Sequence, residues 1–344
     1  MKTAIVTGCP GQVAAHLVPQ LLSQNYRVIG TYRYSSSPFS TRFLNYPTHP
    51  NFETVCVDIV DPSACLHLMD AYEPDEIYNL AAAAHVGESF KSPSSVFDIN
   101  TKAVINWLEA LRKYPACRFI QASTSEMWGS NYTTDKHGVR FQDELTPFHG
   151  NSPYAVAKIA AHNMVDLYRR SYDLFCCSYI AHNHEGEFRG ENYVTMKIIK
   201  WVVSFKKWIQ TKQGAVSFSS NSIECDGEVF PKLRLGNINA VRDWSYAGDF
   251  AKAAHLILQQ DEPVDYVLAS GVGRSVDDFL RIAFSLINIP NYTDYFIIDR
   301  AFFRPCEVEF LQGRADKIKR DLGWVPNTPF EDMVKRMYDF VNSH

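Results

Sequence analysis

The stretch that decides the fold reads TAIVTGCPGQVAAHL and occupies residues 3–17. Its first five residues are typical of a buried strand, and the apolar residues that recur after Gly11 at intervals of three and four predict a helix. Between them, Gly8 and Gly11 lack a Cβ, so the backbone can approach a pyrophosphate at the positive N-terminal end of this helix. Ala14 takes the third position of the glycine spacing. The stretch predicts a strand–turn–helix unit that binds a dinucleotide, with an ordinary loop as the alternative.

The same alternation continues along the chain. Short β-rich runs predict strands at residues 3–7, 27–32, 54–58, 76–80, 118–122, 175–180 and 266–269. Helical periodicity predicts helices at residues 12–23, 100–113, 154–172, 194–208 and 247–260. The polar segment 210–232 is expected to be a mobile excursion or a hairpin.

This order of elements predicts an α/β protein, a Rossmann-type doubly wound parallel sheet with a smaller mixed α/β substrate-binding lobe. We assign residues 1–181 to the nucleotide-binding domain, which the chain rejoins at about 245–285, and residues 182–244 and 286–344 to the lobe.

Composition excludes several classes of protein. The 344 residues are 46% hydrophobic and 21% charged, which is ordinary globular usage. A formal net charge of -4 gives no overall positive field, so no nucleic acid partner is expected. The first residues enter a strand without signal-peptide features, and no apolar run approaches membrane-spanning length. The eight cysteines lack CxxC spacing and are expected to be reduced thiols, with Cys306 buried and neutral. We therefore expect a cytoplasmic protein with no membrane partner and no metal.

The end of the second strand indicates which dinucleotide is bound. NAD-specific folds place Asp or Glu there to hold the ribose 2′-hydroxyl. Here the strand ends in Thr31-Tyr32-Arg33-Tyr34-Ser35-Ser36, which has no acid. A guanidinium followed by hydroxyl groups suits a 2′-phosphate, so we predict NADP, with a solvated surface arginine as the alternative. Asp58, at the end of the third strand, suits a contact with adenine, although aspartate is also common in turns.

Four polar residues form a candidate catalytic group. Tyr154 and Lys158 are four residues apart at the start of a predicted helix and share one face, where an ammonium would lower the pKa of the phenol. Thr124 and Glu126 follow the fifth strand, and reactive groups of doubly wound sheets gather at the carboxyl ends of strands. Thr124 can hydrogen-bond a sugar hydroxyl, and Glu126 can remove a proton from carbon. The alternatives are a core tyrosine with a solvated lysine, and a capping or surface carboxylate.

Further motifs occur along nearly the whole chain. They are Gly8-Cys9-Pro10-Gly11-Gln12, Glu76-Ile77-Tyr78-Asn79-Leu80 with His85-Val86, Gln121-Ala122-Ser123-Thr124-Ser125-Glu126, Ser152-Pro153-Tyr154, Asn183-His184-Glu185, Val194-Thr195, Leu235-Gly236-Asn237, Arg242-Asp243-Trp244, Arg304-Pro305 with Glu307-Val308, and Phe310-Leu311-Gln312-Gly313. Together they resemble the GDP-mannose 4,6-dehydratases, a family of extended short-chain dehydrogenases. The last group is the most specific, because generic dehydrogenases lack it.

The resemblance implies a role for each matching residue. The implied catalytic set is Thr124, Glu126, Tyr154 and Lys158. The implied cofactor-binding set is Gly8, Gly11, Gln12, Val13, Arg33, Asp58, Ile59, Leu80, Ala82, Tyr154, Lys158 and His184. The implied substrate-binding set is Ser125, Asn183, Val194, Lys197, Arg242, Arg304 and Glu307. Arginine and lysine suit a diphosphate, and glutamate can accept hydrogen bonds from sugar hydroxyls, although solvated charges and ordinary ion pairs are the alternatives.

The resemblance also implies a reaction. GDP-mannose would be converted to GDP-4-keto-6-deoxymannose by oxidation at C4, deprotonation at C5 with loss of the C6 hydroxyl as water, and hydride return to C6, with NADP regenerated in each cycle. The implied partners are a GDP-sugar substrate and further copies of the chain in a homodimer or homotetramer.

Departures from the family pattern leave other functions open. The family usually has Gly, Gln and Ser where this chain has Ala81, Ala83 and Ala84, so a different GDP-sugar such as a GDP-manno-heptose is an alternative substrate. A nucleotide-sugar epimerase or reductase of the same fold is a second alternative, against which Glu126 argues. A non-catalytic NADP-binding regulator is a third, against which Tyr154 and Lys158 argue.

Overall fold

A computed structural model describes residues 1–34 and 48–344. The strands are β1 (Thr3–Thr7), β2 (Arg27–Tyr32), β3 (Phe52–Cys56), β4 (Glu76–Asn79), β5 (Arg118–Thr124), β6 (Thr133–Thr134), β7 (Arg140–Phe141), β8 (Cys176–Ala181), β9 (Asn183–Glu185), β10 (Ser217–Phe218), β11 (Ser222–Cys225), β12 (Glu228–Pro231), β13 (Leu233–Leu235), β14 (Val241–Tyr246), β15 (Tyr266–Leu268), β16 (Gly273–Ser275) and β17 (Phe296–Ile298).

The α-helices are α1 (Gln12–Ser23), α2 (Pro62–Tyr72), α3 (Val86–Ser89), α4 (Pro93–Phe97), α5 (Ala103–Leu111), α6 (Pro153–Tyr172), α7 (Val194–Ile209), α8 (Ala247–Leu258), α9 (Val276–Ser285), α10 (Asp316–Leu322) and α11 (Phe330–Ser343). Short 3₁₀ turns occupy Ser125–Trp128, Thr293–Tyr295 and Arg300–Phe302, and a π-helical turn occupies Asp98–Lys102. No helix within the two described ranges is long and apolar enough to cross a membrane.

A seven-stranded parallel sheet forms the centre of the fold, in the order β15-β8-β5-β4-β1-β2-β3. Helices α1 and α8 pack on one face, and α2, α5 and α6 pack on the other. The strand order reverses between β1 and β4, and ligands of doubly wound sheets bind outside the carboxyl ends of the strands at such a point. The predicted fold class is confirmed.

A third apolar cluster lies in the second half of the chain, where α7, α9 and α11 pack against β13 and β14. Helix α8 and strand β15 contribute to the cluster beneath the sheet, whereas α9 belongs to this third cluster. On this basis we propose that the chain leaves the nucleotide-binding domain again near residue 269 rather than 285. Segment 210–232 contains a three-stranded antiparallel sheet, β10-β11-β12, which contacts α7 through Trp201, Phe205 and Phe230.

Candidate active site

The turn after β1 brings two backbone segments together at the switch point of the sheet. Gly8 has a φ of +64°, and a Cβ at this position would lie 2.9 Å from the Ala81 Cα. The Gly11 amide donates to the Gly8 carbonyl at 2.8 Å, which closes the turn directly before α1. Glycine at residue 8 is therefore required both by backbone conformation and by space. The turn leaves a cradle at the N-terminus of α1 that suits a pyrophosphate.

A buried ladder of side chains, which the sequence reasoning did not select, fixes the carboxyl ends of the central strands. The Thr7 hydroxyl donates to Asn79 Oδ1 at 2.7 Å, and Asn79 Nδ2 donates to Gln121 Oε1 at 2.7 Å. Gln121 Nε2 then donates to the Ala122 carbonyl at 2.7 Å. The signal for this ladder was the presence of polar residues near the ends of otherwise apolar strands. It sets β1, β4 and β5 in register where the candidate residues begin.

Lys158 and Tyr154 both point inward from the first turns of α6. The Lys158 ammonium donates to the Ala122 carbonyl at 2.9 Å, and burial lowers the pKa of this lysine to about 8. Burial raises the pKa of the Tyr154 phenol, and its hydrogen bond with Thr124 opposes that effect. The expected lowering of the phenol's pKa by the ammonium is thus outweighed by burial in the protein alone. Thr124, Tyr154 and Lys158 lie together at the carboxyl end of β5.

Glu126 lies beside two arginines. Its Oε1 is 3.4 Å from Nη1 of Arg304, and the Glu126 side chain is 12% exposed. Arg242 Nη2 lies 3.0 Å from Glu307 Oε1, and the Arg242 side chain is 7% exposed. Burial lowers the pKa of Arg242, an effect that the nearby Glu126 carboxylate opposes and the Arg304 guanidinium reinforces. The structure therefore brings four sequence-predicted residues into one cluster of two cations and two anions.

The β9 segment lies next to the start of α1. Gln12 Nε2 donates to the His184 carbonyl at 2.8 Å, and the His184 Nδ1 lies 3.1 Å from the His182 carbonyl. Burial lowers the pKa of His184 to about 4, which keeps the ring neutral. The buried Gln12 Oε1 has no hydrogen-bond partner among the described residues. Gln12 and His184 thus form one wall of the cradle.

Arg189 is a cation of this site that the sequence reasoning missed. Its Nε lies 3.1 Å from the buried carboxylate of Glu185, and its guanidinium lies 3.5 Å from the centre of the Tyr193 ring. Its positive charge also acts on His184 and Tyr154, lowering the pKa of both groups. The charge-rich, glycine-containing loop before α7 was the available signal, although its type of contact could not be read from spacing.

The remaining cofactor candidates lie along the strand ends. Arg33 is exposed directly after β2, and Ser35 and Ser36, which support the NADP prediction, lie outside the described residues. Asp58 is exposed and accepts from the Val60 amide at 3.0 Å, while Ile59 is buried. Their neighbours in this set are the buried Val13 on α1 and the half-buried Leu80 and Ala82 after β4.

The remaining substrate candidates occupy three elements. Ser125 is buried in the 3₁₀ turn after β5, and Asn183 pairs with Trp244 across β9 and β14. Val194 begins α7, and one turn later the Lys197 ammonium lies 3.7 Å from the centre of the exposed Phe302 ring. Burial lowers the pKa of Lys197. The contacts place Lys197 beside Phe302 rather than in the Glu126 cluster.

Two other kinds of site were sought. Within residues 1–34 and 48–344, no group of three or more His, Cys, Asp or Glu side chains is arranged to hold a metal ion. A cavity of about 370 Å³ opens between the β6–β7 hairpin and residues 312–316, and none of the candidate residues lines it.

A family model described as GDP-mannose 4,6 dehydratase matches residues 5–216 and 223–337. The chain belongs to this family. The resemblance drawn from the sequence motifs is confirmed, and the gap in the match falls on residues 217–222, in the turn from β10 to β11.

Relatives in this family extend over nearly the whole chain. GDP-mannose 4,6 dehydratase 2 of Arabidopsis thaliana is 39% identical over 98% of this chain and 86% of its own length. GDP-mannose 4,6-dehydratase of Yersinia enterocolitica is 34% identical over 98% of this chain and 93% of its own length.

Solved structures share the fold at lower identity. Thermus thermophilus UDP-glucose 4-epimerase in complex with NAD superposes with a TM-score of 0.79 at 23% identity, covering 98% of both chains. RMD from Pseudomonas aeruginosa complexed with NADPH gives 0.74 at 19% identity, covering 100% of this chain and 99% of the other. These structures support the fold alone.

Proposed function

We propose that the chain catalyses the NADP-dependent 4,6-dehydration of GDP-mannose to GDP-4-keto-6-deoxymannose. Family membership supports this substrate and reaction, since relatives that cover the chain carry the name GDP-mannose 4,6-dehydratase. The observation that carries the proposal is the position of Glu126 at the carboxyl end of β5, two residues from the Thr124 that hydrogen-bonds Tyr154. An enzyme that only oxidises, reduces or epimerises at C4 has no need of a carboxylate here, whereas dehydration needs a base for C5.

Each candidate side chain has a defined role in this proposal. Tyr154 takes the proton of the C4 hydroxyl, which Thr124 helps to orient through its own hydroxyl. Lys158 is fixed on the Ala122 carbonyl, and its positive charge stabilises the phenolate that forms. Glu126 removes the C5 proton, made acidic by the adjacent C4 ketone, and returns a proton to the departing C6 hydroxyl, which leaves as water. The protonation state of Glu126 is the same at the end of the sequence as at the start.

The chain's residues fit a pyridine dinucleotide. The cradle at Gly8 has no room for a side chain, and the partnerless buried Gln12 Oε1 lies at the same helix terminus. Gly8, Gly11 and Gln12 would hold the pyrophosphate, with Asp58 at the adenine and the Arg33 guanidinium at the 2′-phosphate. The cofactor, when bound, accepts hydride from C4 and returns it to C6. We further propose a cytoplasmic location and a homodimer or homotetramer.

A second candidate substrate follows from the Ala81–Ala84 segment. Ala83 packs in an apolar cluster with Tyr154, and its backbone is held by Asn100 at 2.9 and 3.2 Å. A methyl group at this position cannot offer the hydrogen bonds that the family's usual glutamine would give to a sugar. A GDP-manno-heptose, which carries a larger substituent at C6, is therefore the alternative substrate for the same chemistry.

The role of Glu126 can be tested with a single substitution. Glu126→Gln keeps the shape of the side chain but removes the base, so dehydration should fall by roughly 100-fold or more. Glu331→Gln on the exposed face of α11 is the matched control and should leave the rate unchanged. In D₂O the wild type should place one deuterium at C5 of the product. Retention of full activity by Glu126→Gln would refute the assignment, and an isomerised product of unchanged mass would favour the epimerase reading.

A further inference from the structure

The cluster around Glu126 holds equal numbers of positive and negative groups. Arg304 faces Glu126 at 3.4 Å, and Arg242 faces Glu307 at 3.0 Å. Arg242 also donates to the Val241 carbonyl at 2.9 Å, which anchors its guanidinium to β14. All four side chains are less than one-third exposed, so their charges are poorly screened by solvent. The two arginines therefore already have carboxylate partners when no substrate is present.

A nucleotide diphosphate would compete with these carboxylates. Its phosphates carry at least two negative charges and are acceptors of the same kind, so they can replace Glu126 and Glu307 on the two guanidiniums. Both pairs cannot be kept while a diphosphate binds the same nitrogen atoms. A carboxylate that loses its guanidinium and gains a nearby phosphate also loses stabilisation of its charge, which makes it a stronger base.

We propose that Arg304 is a positioning residue that holds Glu126 in the substrate-free enzyme and exchanges it for the substrate's diphosphate, so that substrate binding itself frees the base for C5. This inference rests on the proposed function, because it takes the diphosphate of a GDP-sugar as the competing anion. No covalent step is added, since the exchange replaces one ion pair with another. Glu307, released from Arg242 in the same way, becomes free to accept hydrogen bonds from sugar or ribose hydroxyls.

The exchange makes a thermodynamic prediction that needs no turnover. If Glu126 competes for Arg304, then removing its charge must strengthen binding of a diphosphate, and by linkage the effect must depend on Arg304. Glu126→Gln should therefore bind GDP about 5-fold or more tightly than the wild type, although it is inactive. In an Arg304→Gln background the same substitution should change the affinity by less than about 2-fold. A merely structural role for Glu126 predicts equal or weaker binding.

The experiment is a double-mutant cycle by calorimetric titration of GDP into the NADP-saturated protein. Arg300→Gln is the matched control, because Arg300 is exposed in the same segment and has no ion pair among the described residues; it should leave the effect of Glu126→Gln intact. Unchanged or weaker GDP binding by Glu126→Gln would overturn the exchange, and so would equal tightening with and without Arg304. Failure of the wild type to bind GDP would overturn the proposed substrate as well, so the two failures are distinguishable.

Discussion

Lys158 combines near-complete burial with a single hydrogen bond. Its side chain is 2% exposed, and its ammonium donates to the Ala122 carbonyl. A lysine in such a place costs folding free energy whenever it is charged, because burial has moved its pKa from 10.5 to about 8. Functional groups are often retained at such a cost to stability.

Replacing Lys158 with methionine should stabilise the fold and abolish activity. At pH 7 the charged lysine costs roughly 3 kcal/mol, offset by about 1 kcal/mol for its hydrogen bond, so the free energy of unfolding should rise by about 2 kcal/mol. The cost is present in full below about pH 8 and disappears as the pH rises to 10.5, because only the unfolded chain then holds the proton. The gain should shrink over this range.

Denaturant unfolding of the cofactor-free protein from pH 7 to 10 measures this gain. Lys207→Met, on the exposed face of α7, is the matched control and should change stability by less than about 0.5 kcal/mol. A Lys158→Met protein that is less stable than the wild type at pH 7 would contradict the account.

Arg33 is the residue on which the choice of NADP depends. Arg33→Met should weaken NADP binding by about 10- to 100-fold, because a charge-assisted contact with the 2′-phosphate is lost. The affinity for NAD, which has no such phosphate, should stay within about 2-fold. Fluorescence titrations with NADPH and NADH compare the two. Equal losses for both cofactors would show that Arg33 does not read the 2′-phosphate.

At the scale of elements, the turn between β1 and α1 makes demands that can be separated by substitution. Gly8 and Gly138 both have positive φ, at +64° and +80°, but a Cβ at Gly138 would meet nothing within 4 Å. Gly138→Ala should therefore cost about 1–2 kcal/mol for the backbone alone. Gly8→Ala should cost at least about 1 kcal/mol more, because its Cβ overlaps the Ala81 backbone.

Thermal unfolding of the two variants provides the comparison, and Gly8→Ala alone should also lose NADP affinity. If both variants lost equal stability and Gly8→Ala still bound NADP normally, the cradle would not be where we place it.

Elements with a regular pattern could be predicted from the sequence, and irregular ones could not. Strands β1 and β2 and helix α1 have the predicted bounds, because their apolar runs end at glycine or polar residues. Strand β3 was predicted two residues late, at 54–58 instead of Phe52–Cys56, because this edge strand is largely exposed and has no apolar pattern to fix its ends. The expected burial of Cys306 was wrong, since the residue lies exposed in a loop without periodicity.

At the scale of the whole molecule, the sequence located the candidate site by one rule, that reactive groups collect at the carboxyl ends of parallel strands. The rule brought Gly8, Thr124 and Lys158 to one region without any knowledge of the lobe. It could not predict that Arg242 and Arg304, from β14 and a distant loop, would meet Glu126, because such contacts depend on how α7, α9 and α11 pack. Spacing along a chain does not record contacts of that range.

The central claim is that this fold dehydrates the sugar of GDP-mannose, and one measurement tests it most directly. Purified protein is incubated with GDP-mannose and a catalytic amount of NADP, and the sugar nucleotide is followed by mass spectrometry. The account predicts that the wild type converts GDP-mannose to a product lighter by one water, while NADP is not consumed. Unchanged GDP-mannose, from a protein that binds NADP, would contradict the claim for this substrate, and conversion of a GDP-manno-heptose under the same conditions would transfer the chemistry to that sugar.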